Sequence, residues 1–92
     1  MKELIDILLK VKDKITDESD LMNTGFNSAA ELRSEIDKCI SGLKENNQDA
    51  INQTNEYFQP TAAFQEHSLQ NDWSDEYLRM AEKFDKIYER LK

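Results

Sequence analysis

Several residue types are scarce in this chain, and each scarcity excludes something. A single cysteine, Cys39, rules out an internal disulfide, and with a single histidine, His67, a closed zinc site is out of reach. One proline and two isolated glycines leave no phosphate-cradling glycine loop. No apolar run is long enough to span a membrane. The start, MKELIDILLKVKDK, interrupts its apolar residues with acids, which reads as an amphipathic helix rather than a signal peptide, so a cytoplasmic location is expected. Basic residues are also few: 12 Lys and Arg face 19 Asp and Glu, a net charge of −7. Residues 1–46 hold 7 basic and 10 acidic side chains and residues 47–92 hold 5 and 9, so no basic cluster exists to attract nucleic acid or an anionic membrane. A basic protein would be steered toward such a surface.

What the chain does hold is helix-forming. Ninety-two residues make one domain, 1–92, and a chain so short buries only roughly 60–65% of its unfolded surface. The clearest pattern runs from Trp73 to Leu91. Trp73, Tyr77, Met80, Ala81, Phe84, Ile87, Tyr88 and Leu91 recur at steps of three and four, with charged residues between them. Such a helix is stable only when its stripe lies on other helices or on a partner. Ser74 is its expected cap, with Asp75 and Glu76 placed for its dipole.

A first helix is expected over about Lys2–Ile15 on Leu4, Leu8, Val11 and Ile15. Ile5, Ile7 and Leu9 widen its apolar surface, which suits a central place in a bundle or burial by a second chain. The segment TDESDLMNTGF, 16–26, favours turns, and its Leu21, Met22 and Phe26 are expected to fold back over the core. Ser28-Ala29-Ala30-Glu31 is a capping box opening a second helix to about Leu43, with Gly42 near its end. Asn46 and Asn47 offer caps for a third, Gln48–Phe58, anchored by Ile51, Tyr57 and Phe58 and stopped by Pro60. Thr61 is the candidate cap of a short helix through Phe64 and Gln65, followed by an irregular connection over 67–72. The expected fold is all-α: a small antiparallel four-helix bundle with a short third helix and a partly helical connection before the fourth.

Residues that could carry chemistry are few. Glu66-His67 is a candidate base, yet no Ser or Cys is placed beside it, and a surface or capping histidine is the simpler reading. The run Asp17-Glu18-Ser19-Asp20 invites calcium, but an EF-hand loop from Asp17 would need Gly and Glu where Met22 and Ser28 stand. Cys39 lies on the apolar stripe of the second helix and reads as core. Neither a metal, nor a cofactor, nor catalysis is expected.

Binding remains. Trp73 precedes the last helix at the staple position, either packed on Tyr77 or Met80 or exposed as an anchor. Tyr57, Phe58 and Phe64 gather around the same connection. A partner-binding groove is therefore expected there, formed by Tyr57, Phe58, Phe64, Glu66, His67 and Trp73, with Gln59 and Gln65 on its rim. In size, helicity and acidity the chain is similar to bacterial immunity proteins, which neutralise basic toxins, though it carries none of their residue motifs. That resemblance implies a non-enzymatic, bacterial, immunity- or antitoxin-like inhibitor of a basic protein. The alternative is a homodimeric structural or regulatory subunit closed through the first helix.

Overall fold

The computed structural model describes residues 1–91, and among them five helices and no strand occur: α1 Lys2–Lys14, α2 Ala29–Lys44, α3 Gln48–Tyr57, α4 Ala63–Gln70 and α5 Ser74–Leu91. The bundle is all-helical, as the periodicity implies. The partly helical connection proves to be a two-turn helix, α4, which runs through His67 to Gln70 where an irregular stretch was expected. Its helical spacing turns Ala63, Phe64, His67 and Ser68 to one side, and that side is buried.

α1 lies between α2 and α5 and runs antiparallel to both. Lys12 pairs with Asp37 at 2.7 Å and Arg33 reaches back to the Ile15 carbonyl at 3.1 Å, so the end of α1 meets the start of α2. Against α5, Lys14 pairs with Glu76 at 2.8 Å and Glu3 lies 3.9 Å from Arg90. Leu4, Ile7, Leu8 and Val11 are buried while Leu9 is 49% exposed, so two neighbouring helices absorb most of α1's wide apolar surface.

Local signals explain the helix ends. Ser28 Oγ accepts the Glu31 N–H at 3.1 Å, the forward half of the capping box. Asn46 and Asn47 divide the corner between α2 and α3. Asn46, at φ 56°, donates its N–H to Leu43 O (3.1 Å), and Asn47 donates to Gly42 O (2.9 Å), which closes α2 in a Schellman motif. The Asn47 side chain then accepts from Asp49 N at 2.8 Å and caps α3. Gly42 is not an end signal but a contact: a Cβ there would collide with Ala50 Cβ, so its bare backbone admits α3 against α2.

Pro60 ends α3 by occupying the second position of a turn in which Ala62 N–H returns to Gln59 O at 3.0 Å. Thr61 takes φ 64° at the third position, where glycine is the usual residue. It does not cap α4; its N–H instead donates to Gln65 Oε1 at 3.0 Å. Ser74 is likewise already helical, and the Trp73 carbonyl accepts from Tyr77 N at 2.9 Å. On α5, Tyr77, Met80, Phe84 and Ile87 are buried, whereas Leu91 and Leu78 face outward. Leu21 and Phe26 pack on the core as expected of the folded-back segment, but Met22 stands 61% exposed.

Candidate partner-binding surface

The aromatic side chains around Pro60 do converge, but inward. Tyr57 meets Phe64 with ring centroids 5.5 Å apart, Phe64 meets Phe58 edge-on at 5.0 Å, and Phe58 stacks on Phe84 at 4.4 Å. Trp73 packs edge-on against Tyr77 at 6.0 Å, one of the two partners expected of it, though from the cap position and not the staple position. Phe58, Phe64, His67 and Trp73 are all buried, and only Tyr57 and Glu66 of the six expected groove residues reach solvent, each half-buried. The cause is α4: as a helix it turns Phe64 inward onto Tyr57 and Phe58 and His67 inward onto Trp73.

His67 is thus no surface histidine. It is 0% exposed, its Nδ1 accepts the Trp73 indole N–H at 2.9 Å, and its Nε2 has no partner. An indole only donates, so Nδ1 must keep its lone pair and the ring is neutral with its proton on Nε2. Leaving that buried donor unmatched costs about 1–3 kcal/mol. Burial pushes the imidazole pKa below its ordinary 6.5, and the Asp20 charge opposes that shift. Tyr57 donates to Glu35 at 3.3 Å, and its pKa is pushed up to about 12 by burial, with the Glu35 charge adding to it. Cys39 is buried beside Thr54, and desolvation raises its thiol pKa, a setting for an inert thiol rather than a nucleophile. Among the described residues no cluster of three or more His, Cys, Asp or Glu is arranged to hold a metal.

The surface that stays open lies elsewhere, where the loop of residues 15–28 meets the corner between α4 and α5. Asn71 joins the two. Its Oδ1 accepts Asp20 N at 2.9 Å, and its Nδ2 donates to Asp20 O at 2.8 Å and to His67 O at 2.9 Å. Asp20 Oδ1 in turn accepts Met22 N at 2.9 Å, holding the bend that lifts Met22 into solvent. Arg33 fixes the near end of the loop through Asp17 at 2.8 Å. Asp17, Glu18 and Asp20 on the loop are exposed, as are Met22 and, next to Asn71 in the chain, Asp72. Two open depressions flank the loop. One of about 580 Å³ includes Leu9, Asp13, Asp17, Glu18 and Arg33, and one of about 450 Å³ includes Asp17, Asp20, Leu21 and Asn27. Of these residues the acidic run was visible in the sequence; Asn71 was not, since its link to Asp20 spans 51 positions.

No family model matches the chain, and neither a curated protein nor a solved structure does. No helix of the described residues is long and apolar enough to cross a membrane.

Proposed function

We propose that this chain is a non-enzymatic, cytoplasmic protein-binding module, immunity- or antitoxin-like, that captures a basic protein partner of a bacterial cell. The observation that carries this reading is the loop of residues 15–28. It presents Asp17, Glu18 and Asp20 together with the exposed Met22, whose N–H Asp20 holds, on a chain of net charge −7. Carboxylates around an apolar anchor suit a basic patch on a partner: charge speeds the encounter, and the desolvated centre slows its release. Arg33 and Asn71 hold the acidic stretch of the loop at Asp17 and Asp20, so less ordering is needed there on binding. Nucleic acid and anionic membranes are repelled by the same charge.

The second reading, a homodimeric structural or regulatory subunit, is favoured by Leu9 alone on α1, half-exposed beside the larger depression. Affinity capture from lysate at low and high salt separates the two. A basic protein retained at low salt, released at high salt, and lost from the Glu18→Gln, Asp72→Asn variant supports the first reading. Recovery of the bait alone at twice its mass supports the second, and a partner retained equally by the variant removes the loop from the argument.

A further inference from the structure

The molecule's single histidine touches its single tryptophan, and the pair sits under the junction that holds the loop. Trp73 Nε1–H donates to His67 Nδ1, so the bond exists only while the imidazole is neutral. The His67 main chain belongs to the same junction: its carbonyl accepts from Asn71 Nδ2 and from Asn71 N, and Asn71 grips both backbone groups of Asp20. An imidazolium has no acceptor here. Nδ1 would carry a proton against the indole N–H, and Nε2 is already without a partner in a site with no solvent. To be solvated the ring must leave the core, and that movement carries the end of α4 and Asn71 with it.

We propose that the His67–Trp73 hydrogen bond is an acid-sensitive latch, whose protonation releases the α4–α5 corner and the loop of residues 15–28 while α1, α2 and the body of α5 stay packed. Nothing in this rests on the identity of a partner. The charged group acting on His67 is Asp20, from the loop. From α5, Tyr77 lies behind Trp73, and from α3, Tyr57 and Phe58 meet Phe64; both tyrosines titrate at about 12 and take no part in the acidic range.

The direction follows from linkage. Native His67 resists protonation and an exposed one accepts a proton near 6.5, so the latch is whole above pH 6.5 and weakens as pH falls below it. The test is amide hydrogen exchange across pH 7.5–5 on the intact chain, with the His67 ring titrated by NMR. The expected result is a ring pKa below 6.5, with Asp20 and Trp73 amides losing about tenfold in protection per pH unit from 6.5 down to the ring's own pKa, while Leu8 and Leu32 amides keep theirs. His67→Asn, which retains an acceptor near the Nδ1 position, is expected to abolish that pH dependence. Should this variant not fold, the wild-type titration decides alone. A ring that titrates at or above 6.5, or core and loop amides that lose protection together, overturns the proposal.

Discussion

The two sides of the core are built from different material. Around α1 and α2 it is aliphatic: Leu4, Leu8, Val11, Ile15, Leu32, Ile36 and Leu43 are buried and bring no side-chain polar atom inside. Around α3, α4 and the first half of α5 it is aromatic, and its polar atoms all need partners. Tyr77 donates to Phe58 O at 3.2 Å, Trp73 to His67 at 2.9 Å, Ser68 to Gln65 O at 2.7 Å, and Thr54 to Ala50 O at 2.7 Å. An aliphatic core demands volume and little else, so it tolerates volume-conserving apolar exchanges and is indifferent to pH. An aromatic core with polar edges is bound to one geometry and, through His67, to one protonation state. The side that bears the loop junction is thus the side with the conditional stability.

The largest expected effect tests whether the aromatic side is packed as tightly as the aliphatic one. Phe64, 0% exposed, touches both Tyr57 and Phe58, and Phe64→Ala should cost about 3–5 kcal/mol in denaturant unfolding. Leu32→Ala on the other side should cost about 2–5 kcal/mol, with no change between pH 7.5 and 5. A loss under about 1 kcal/mol at Phe64 would mean that the ring cluster is loose and the contrast false.

Gly42→Ala comes next. Helix propensity alone favours alanine by about 1 kcal/mol, but the new methyl must displace the Ala50 methyl, which sits on α3's backbone and cannot rotate away. Separating α2 from α3 should leave a net loss of about 1–3 kcal/mol, measured by the same unfolding curves. A gain in stability would show that the corner has slack. Smaller again is Tyr77→Phe. It keeps the ring contacts with Phe58 and Trp73 and removes one donor to a buried carbonyl, so about 0.5–1.5 kcal/mol is expected, with Trp73 emission nearly unchanged.

The contrast also explains what was legible in the sequence. Aliphatic stripes at helical spacing announce α1 and α2, and the caps Ser28 and Asn47 announce where α2 and α3 begin. The stripe of α5 was equally plain. α4 was not, because half of its buried face is His67 and Ser68, which hydropathy counts as solvent-facing. The burial of His67 goes with a hydrogen bond to Trp73, just ahead of α5, while Ser68 satisfies its hydroxyl inside α4 on the Gln65 carbonyl. The expected groove failed to open for that same reason. Gly42 stood near the expected end of α2, but that it admits Ala50 of α3 is visible only in the packing. The acidic loop was visible as composition, but its seat on Asn71 was a long-range fact.

The corner between α3 and α4 supplies the smallest effect and the finest distinction between the two sides. Thr61 sits at φ 64°, a left-handed conformation that β-branched residues rarely adopt, and its side chain is exposed, so no packing gain offsets the strain. Replacing it by glycine removes about 1–2 kcal/mol of strain and returns part of it as unfolded-chain entropy. The net expectation is a gain of about 0.5–1 kcal/mol for Thr61→Gly in thermal unfolding, with a smaller gain for Thr61→Asn. If the strain serves only to turn the chain after Pro60, the gain appears undiminished at pH 7.5 and at pH 5. Were it instead holding α4 in the position from which His67 reaches Trp73, relieving it would alter the pH dependence of loop exchange along with the stability. A gain that is independent of pH places the conditional stability of the aromatic side in the His67–Trp73 bond and not in the turn.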